Sequence, residues 1–196
     1  MTIPIRTLGE YLDLLSEQNL LSAPIPDGLD RSQSVTGLTC DSRQVAPGTL
    51  FIRKGAHFQT KFLEMDRGAM ACLSQEEETV PGLPRVALAD VRRAMALLAD
   101  LYYDHPSGKL KVIGFTGTKG KSSATYYLKS VLDVYRARQG KGETGVISSI
   151  DTYDGVERFE SHLTTPEPLD LQRHFANAAQ TGLEYLTMEV SSQALK

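Results

Sequence analysis

Short apolar runs alternating with helix-period stretches predict an α/β fold built on parallel sheets. Two further observations refine this. A cluster of helix-stopping residues, Asp104-His105-Pro106-Ser107-Gly108, interrupts the pattern midway and divides it into two domains, 1–106 and 107–196. Just beyond it, an apolar strand runs into a glycine-rich turn that opens a helix. That is how a parallel sheet presents a backbone cradle at its carboxyl edge.

In the first domain, Thr7 and Glu10 have the spacing of a capping box. Leu8, Tyr11, Leu12 and Leu15 recur behind it at helical spacing. Strands are expected at 35–39, 49–52, 69–73 and 85–88, with Pro47-Gly48 and Pro81-Gly82 as turns. Asp90 is placed to cap a helix whose inward stripe is Val91, Ala94, Met95, Leu98, Leu101 and Tyr102. In the second domain, 111–116 reads as a strand. Residues 121–135 read as a helix carrying Tyr127, Leu128, Val131, Leu132 and Tyr135 on one face. Further strands are expected at 145–150 and 185–190, with a helix at 169–181 that Gly182 closes as a C-terminal cap. Only about three strands of the second sheet are accounted for by Lys196, fewer than such a sheet normally has, so the chain reads as a fragment of a longer protein.

Composition excludes several classes. The chain has 196 residues, 41% of them hydrophobic, enough for real cores. Its formal charge is −3, with both signs mixed and no basic tract, which gives a nucleic-acid partner no electrostatic support. No stretch approaches the roughly 18 apolar residues that span a bilayer, and the N-terminus lacks the apolar run of a signal peptide. Cys40 and Cys72, without CxxC spacing, fit free thiols in a reducing compartment. His105, His162 and His174 share no metal-ligand spacing. A cytoplasmic monomer, with neither a membrane nor a nucleic acid as partner, is the expectation.

The chemistry concentrates in Gly114-Phe115-Thr116-Gly117-Thr118-Lys119-Gly120-Lys121-Ser122-Ser123. Glycines let backbone N–H groups approach a phosphate closely, and the helix N-terminus adds partial positive charge. Gly117, Thr118, Lys119, Gly120, Lys121, Ser122 and Ser123 are the expected nucleotide-binding set. Lys121 would reach the β/γ-phosphates of ATP, and the Ser122 hydroxyl would sit on Mg²⁺. The spacing departs from the common P-loop by one residue, because Phe115 stands where that pattern has glycine.

That variant, Gly-x-x-Gly-Thr-x-Gly-Lys-Ser, resembles the P-loop of the Mur ligases and of folylpolyglutamate synthases. Lys119 fills a position that is often Asn there. Asp41-Ser42-Arg43, followed by Val45, Pro47-Gly48 and Leu50-Phe51, is similar to the uridine-site signature of the tripeptide-synthetase branch of the Mur ligases; by itself it reads equally as a loop with local side-chain bonds. Lys54-Gly55-Ala56-His57-Phe58, Thr164-Thr165-Pro166-Glu167 and Met188-Glu189-Val190-Ser191-Ser192 resemble further segments of that family, with Gln193 replacing its usual histidine.

The resemblance implies a small uridine-nucleotide-binding domain followed by the first part of an ATP-binding central domain. It implies Ser42, Ala56, His57, Phe58, Thr164, Thr165 and Ser191 as contacts to a UDP-muramyl-peptide. Ser122 and Glu189 are implied as Mg²⁺ ligands, and Lys121 and Glu189 as catalytic. The implied reaction is amide ligation in peptidoglycan precursor synthesis. ATP phosphorylates UDP-N-acetylmuramoyl-L-alanyl-D-glutamate, and a diamino acid displaces phosphate from the acyl phosphate. The family places further catalytic groups downstream of this chain, so no ligase turnover is expected from these 196 residues alone. Two alternatives stand beside that reading: a stand-alone P-loop kinase or ATPase, and a non-catalytic nucleotide-binding module derived from a ligase.

Overall fold

The computed structural model describes residues 3–55, 58–59, 63 and 68–195. They divide between Asp104 and His105 into two compact units. Both residues have left-handed backbones, φ 62° and 50°. Pro106 follows, and a residue before proline is disfavoured in the right-handed helical region.

In the first unit a short strand, β1 (Arg6–Thr7), leads into helix α1 (Leu8–Glu17). The Thr7 backbone N–H and hydroxyl both donate to the Glu10 carboxylate, at 2.7 and 3.1 Å, so the expected capping box forms. Leu8, Tyr11, Leu12 and Leu15 are buried, as their spacing predicts.

The strand expected at 35–39 breaks at Thr36. β2 (Ser34–Val35) pairs antiparallel with β1, while β3 (Gly37–Thr39) joins a different sheet. The break has a local cause: the Thr36 hydroxyl donates to the Pro47 carbonyl at 2.8 Å, and its N–H to that of Gly48 at 2.9 Å. These bonds tie the kink to the Pro-Gly turn.

β3, β4 (Thr49–Ile52), β5 (Ala69–Ser74) and β6 (Arg85–Ala87) then form a parallel sheet in that order. All four β4 residues are buried, as expected for a parallel strand covered on both faces. Val45, Phe51, Leu63, Cys72 and Val80 make one apolar cluster there. Helix α2 (Val91–Tyr102) starts where the Asp90 carboxylate accepts the Arg92 and Arg93 N–H groups at 3.0 Å. It buries Ala94, Met95, Leu98 and Ala99; Val91, Leu101 and Tyr102 lie at the margin of the stripe.

The second unit has a five-stranded sheet in the order β10-β9-β8-β11-β7. β7 (Lys111–Phe115), β11 (Tyr185–Glu189) and β8 (Gly145–Ile147) run parallel. β9 (Asp151–Tyr153) and β10 (Arg158–Glu160) add an antiparallel edge. The strand expected at 145–150 stops at Ile147, because the Ser148 hydroxyl accepts the N–H groups of Ile150 and Asp151 at 3.0 and 3.1 Å and turns the chain. Helix α4 (Pro168–Gln180) covers one face, and its Phe175 and Ala178 pack with Ile147, Leu183, Leu186 and Met188.

Helix α3 (Lys121–Ala137) corrects the sequence pattern. Of its expected stripe, Tyr127 is 76% exposed and Val131 65%, Tyr135 is also in solvent, and Leu128 and Leu132 are half-buried; Val134, outside that stripe, is exposed too. The buried side holds Thr125, Lys129 and Arg136 instead. Charges can lie there because each is paired: Lys129 with Asp133 and Glu143, Arg136 with Glu184 and the Gly142 carbonyl. Periodicity located the apolar face correctly but could not say which face the sheet would take. Among the described residues no helix is long and apolar enough to cross a membrane.

Candidate active site

The carboxyl ends of β7 and β11 lie side by side, and glycine permits it. A Cβ on Gly114 would stand 2.9 Å from Val190 Cγ2, closer than carbon atoms tolerate. The chain then turns through 116–120, with φ of 149° at Gly117 and 78° at Gly120, and enters α3 at Lys121. Gly120 is the N-cap residue and has no side chain to satisfy the first helical N–H groups. An uncapped helix start behind an exposed glycine turn is an anion site in waiting. Thr118, Lys119 and Ser123 are exposed on it. Lys121 Nζ folds back to donate to the Gly117 carbonyl at 3.0 Å, which holds the ammonium over the loop.

A chain of oxygens crosses from this helix to the strand end. Ser122 Oγ lies 3.4 Å from Ser149 Oγ. Ser149 donates to Glu189 Oε1 twice, from its N–H at 2.9 Å and its hydroxyl at 3.0 Å. Glu189 is 1% exposed and the hydrogen bonds described for it come from these neutral donors. A buried carboxylate without a cation is costly, and the surrounding oxygens are the ligands a hard divalent cation takes. Ser122 and Glu189 therefore fit Mg²⁺ by donor chemistry and by charge. Sequence reasoning missed Ser149. Its only local signal was the serine pair Ser148-Ser149 beyond an apolar strand, which says nothing of a contact 40 residues away.

Thr165 and Ser191 also meet at this edge. The Thr165 hydroxyl donates to the Glu189 carbonyl and accepts the Ser191 N–H, both at 3.0 Å. Thr164 precedes it in the same loop. In the first unit, Ser42 opens a short 3-10 turn capped by Asp41, whose carboxylate accepts the Arg43 N–H at 2.9 Å and pairs with its guanidinium. The local bonding considered for Asp-Ser-Arg is thus present. Hydrogen bonds from the Arg43 guanidinium and backbone N–H hold the Asp41 carboxyl down at about 2. The Phe58 ring packs on Phe51 at 5.2 Å and joins the apolar cluster. Ala56 and His57 lie outside the described residues.

His174 belongs to a second polar cluster, with Asp154 and Glu157. Asp154 Oδ1 accepts the N–H groups of Val156 and Glu157, and Oδ2 accepts His174 Nδ1–H at 2.6 Å and Asn177 at 2.9 Å. Its oxygens are already occupied, so the cluster reads as a staple between the β9–β10 turn and α4 rather than as a metal site. Burial raises the Asp154 pKa, but hydrogen bonds from His174, Glu157, Asn177 and Val156 outweigh it and hold the carboxyl at about 2, against 3.8 unperturbed. A depressed folded pKa stabilises above the unfolded value and is lost below it. Thermal melts are therefore expected to lose on the order of 2 kcal/mol from this carboxyl between about pH 4 and pH 2. Asp154→Asn is expected to abolish that step while lowering stability at pH 7, and an unchanged acid transition in the variant counts against the staple.

A family model described as "Mur ligase middle domain" matches residues 115–196. The UDP-N-acetylmuramoyl-L-alanyl-D-glutamate--L-lysine ligase of Enterococcus faecalis is 43% identical over 195 residues, covering 94% of this chain and 38% of the relative. Residues 115–196 belong to the Mur ligase middle-domain family. The UDP-N-acetylmuramyl-tripeptide synthetase of Bifidobacterium longum is 36% identical, covering 97% of this chain and 38% of the synthetase. The structure of a UDP-N-acetylmuramoyl-L-alanyl-D-glutamate--2,6-diaminopimelate ligase shares the fold with a TM-score of 0.69 at 21% identity, over 98% of this chain and 37% of that one. The chain thus spans under two fifths of these Mur ligase relatives.

Proposed function

We propose that this chain supplies the phosphate-binding and metal-binding edge of an ATP-dependent ligase that extends UDP-N-acetylmuramoyl-L-alanyl-D-glutamate by a diamino acid during peptidoglycan precursor synthesis. The observation that carries the reading is the oxygen chain Ser122–Ser149–Glu189 beside an uncapped, glycine-led helix start, in a chain of this family. Family membership raises the ligase above a stand-alone ATPase or a binding module. The relatives' names supply the substrate class.

In this reading residues 117–123 wrap the ATP phosphates. Lys121 swings from the Gly117 carbonyl to the β/γ-phosphates, and the developing charge is met by the ammonium and the helix N-terminus. Mg²⁺ held by Ser122 and Glu189 would neutralise phosphate oxygens. Ser149 holds the Glu189 carboxylate by two hydrogen bonds, and its hydroxyl lies beside that of Ser122. The γ-phosphoryl group passes to the D-glutamate carboxylate, and the amine then displaces phosphate as the amide bond forms. No side-chain nucleophile is needed; the rate comes from positioning and charge. Thr164, Thr165 and Ser191 line the muramyl-peptide side of the edge. Ser42, Ala56, His57 and Phe58 belong to a uridine-binding first domain. Cys40 and Cys72 form no disulfide among the described residues, and burial pushes the Cys72 thiol up to about 11, which fits a reducing cytoplasmic setting.

The test is phosphate release by the ligase that carries this chain. It is expected only when Mg·ATP, the muramyl dipeptide and either L-lysine or meso-diaminopimelate are all present. Rapid ATP hydrolysis without the muramyl substrate would point to a stand-alone ATPase. Silence with all three, over a range of pH and salt, would leave the binding module.

A further inference from the structure

We infer that Thr165 is a positioning residue: its hydroxyl replaces a missing strand and locks the backbone that carries Glu189 and Ser191. β11 is flanked by β7 on one side and β8 on the other. On the β7 side the ladder continues past the strand end, with Val190 N–H donating to the Phe115 carbonyl at 2.8 Å. Backbone groups alternate sides along a strand, so the Glu189 carbonyl and Ser191 N–H face the β8 side. There β8 has already ended, at Ile147, where Ser148 turns the chain away. Two buried-edge backbone groups are left without a strand, and one hydroxyl serves both. Thr165 Oγ1 donates to Glu189 O and accepts from Ser191 N, each at 3.0 Å.

Because the hydroxyl proton is committed to Glu189, it cannot be donated to a substrate. Thr165 therefore acts through the strand end rather than as a substrate donor. The loop 164–167 and the Glu189 carboxylate become one rigid piece, clamped by Thr165 at the backbone and by Ser149 at the side chain. Anything that settles the loop also settles the carboxylate. The functional half of this inference rests on Glu189 being a metal ligand; the structural half does not.

Two arms keep these apart. The first is amide hydrogen exchange on the 196-residue chain, read at Ser191 by NMR. Protection of the Ser191 amide of about 10²-fold over a free peptide is expected in the wild type and in Thr165→Ser, and of less than about tenfold in Thr165→Val. Thr165→Ala serves instead if the valine variant does not fold. A wild-type Ser191 amide exchanging at the free-peptide rate, or equal protection in the variants lacking the hydroxyl, overturns the lock. The second arm uses the ligase that carries this chain. Loss of two backbone hydrogen bonds in Thr165→Val is expected to raise the Mg²⁺ concentration for half-maximal rate about tenfold, with Thr165→Ser close to wild type. A raised KM for the muramyl substrate with an unchanged Mg²⁺ requirement would make Thr165 a substrate contact alone, with no part in holding Glu189, and sink the proposal. If no ligation occurs at all, the exchange arm still decides the lock, and the failure belongs to the proposed function.

Discussion

Lys121→Ala is expected to lower ATP-dependent turnover by about 10²–10³-fold, the usual cost of removing one group aimed at developing charge. Its melting temperature should stay at the wild-type value. The described hydrogen bond of the ammonium goes to one loop carbonyl, Gly117 O, and loops release such bonds to water at little cost. Lys121→Arg should rescue poorly, because a planar guanidinium does not substitute for a compact point charge in a tight glycine turn. Steady-state phosphate release alongside a thermal melt separates the two effects. Turnover within about threefold of wild type would remove Lys121 from the reaction.

Glu189→Gln is the sharper test, because stability and function should move in opposite directions. The amide keeps an oxygen for Ser149 but removes the negative charge from a site that is 1% exposed. An isolated buried charge is a burden on the metal-free fold, so the variant should melt at the same temperature or a few degrees higher. Turnover should fall by about 10²–10³-fold, and adding Mg²⁺ should no longer increase it. An ordinary structural acid would give the reverse pattern: a lower melting temperature and an untouched metal dependence. Titrating Mg²⁺ at saturating ATP, with melts in EDTA, reads both quantities on one preparation.

Part of this site was legible in the residue order and part was not. The glycine-rich loop was legible because everything that makes it is local: a strand, two glycines with positive φ, and a lysine opening the helix. The helix boundaries were legible for the same reason, through Thr7-Glu10, Asp90 and Gly182. The antiparallel hairpin of β9 and β10 was missed, although Asp154-Gly155 is a turn signal between short strands. The long 145–150 run hid the Ser148 turn that starts it. The exposed stripe of α3 was misplaced because a hydrophobic period marks a face and not its partner. On this helix the sheet takes the side whose Lys129 and Arg136 have acidic partners at Asp133, Glu143 and Glu184.

What the sequence by itself determined, then, is the α/β class, the break near residue 105 and the glycine-rich turn that opens α3 at Lys121. Each follows from interactions between residues a few positions apart. Only the tertiary structure decided that Ser149 orients Glu189, across 40 residues, and that Thr165 closes the strand end, across 24 and 26. Those contacts depend on parallel crossovers, which bring distant strand ends to one edge of the sheet. Their register is set by the packing of whole strands and helices, and no short run of residues encodes it.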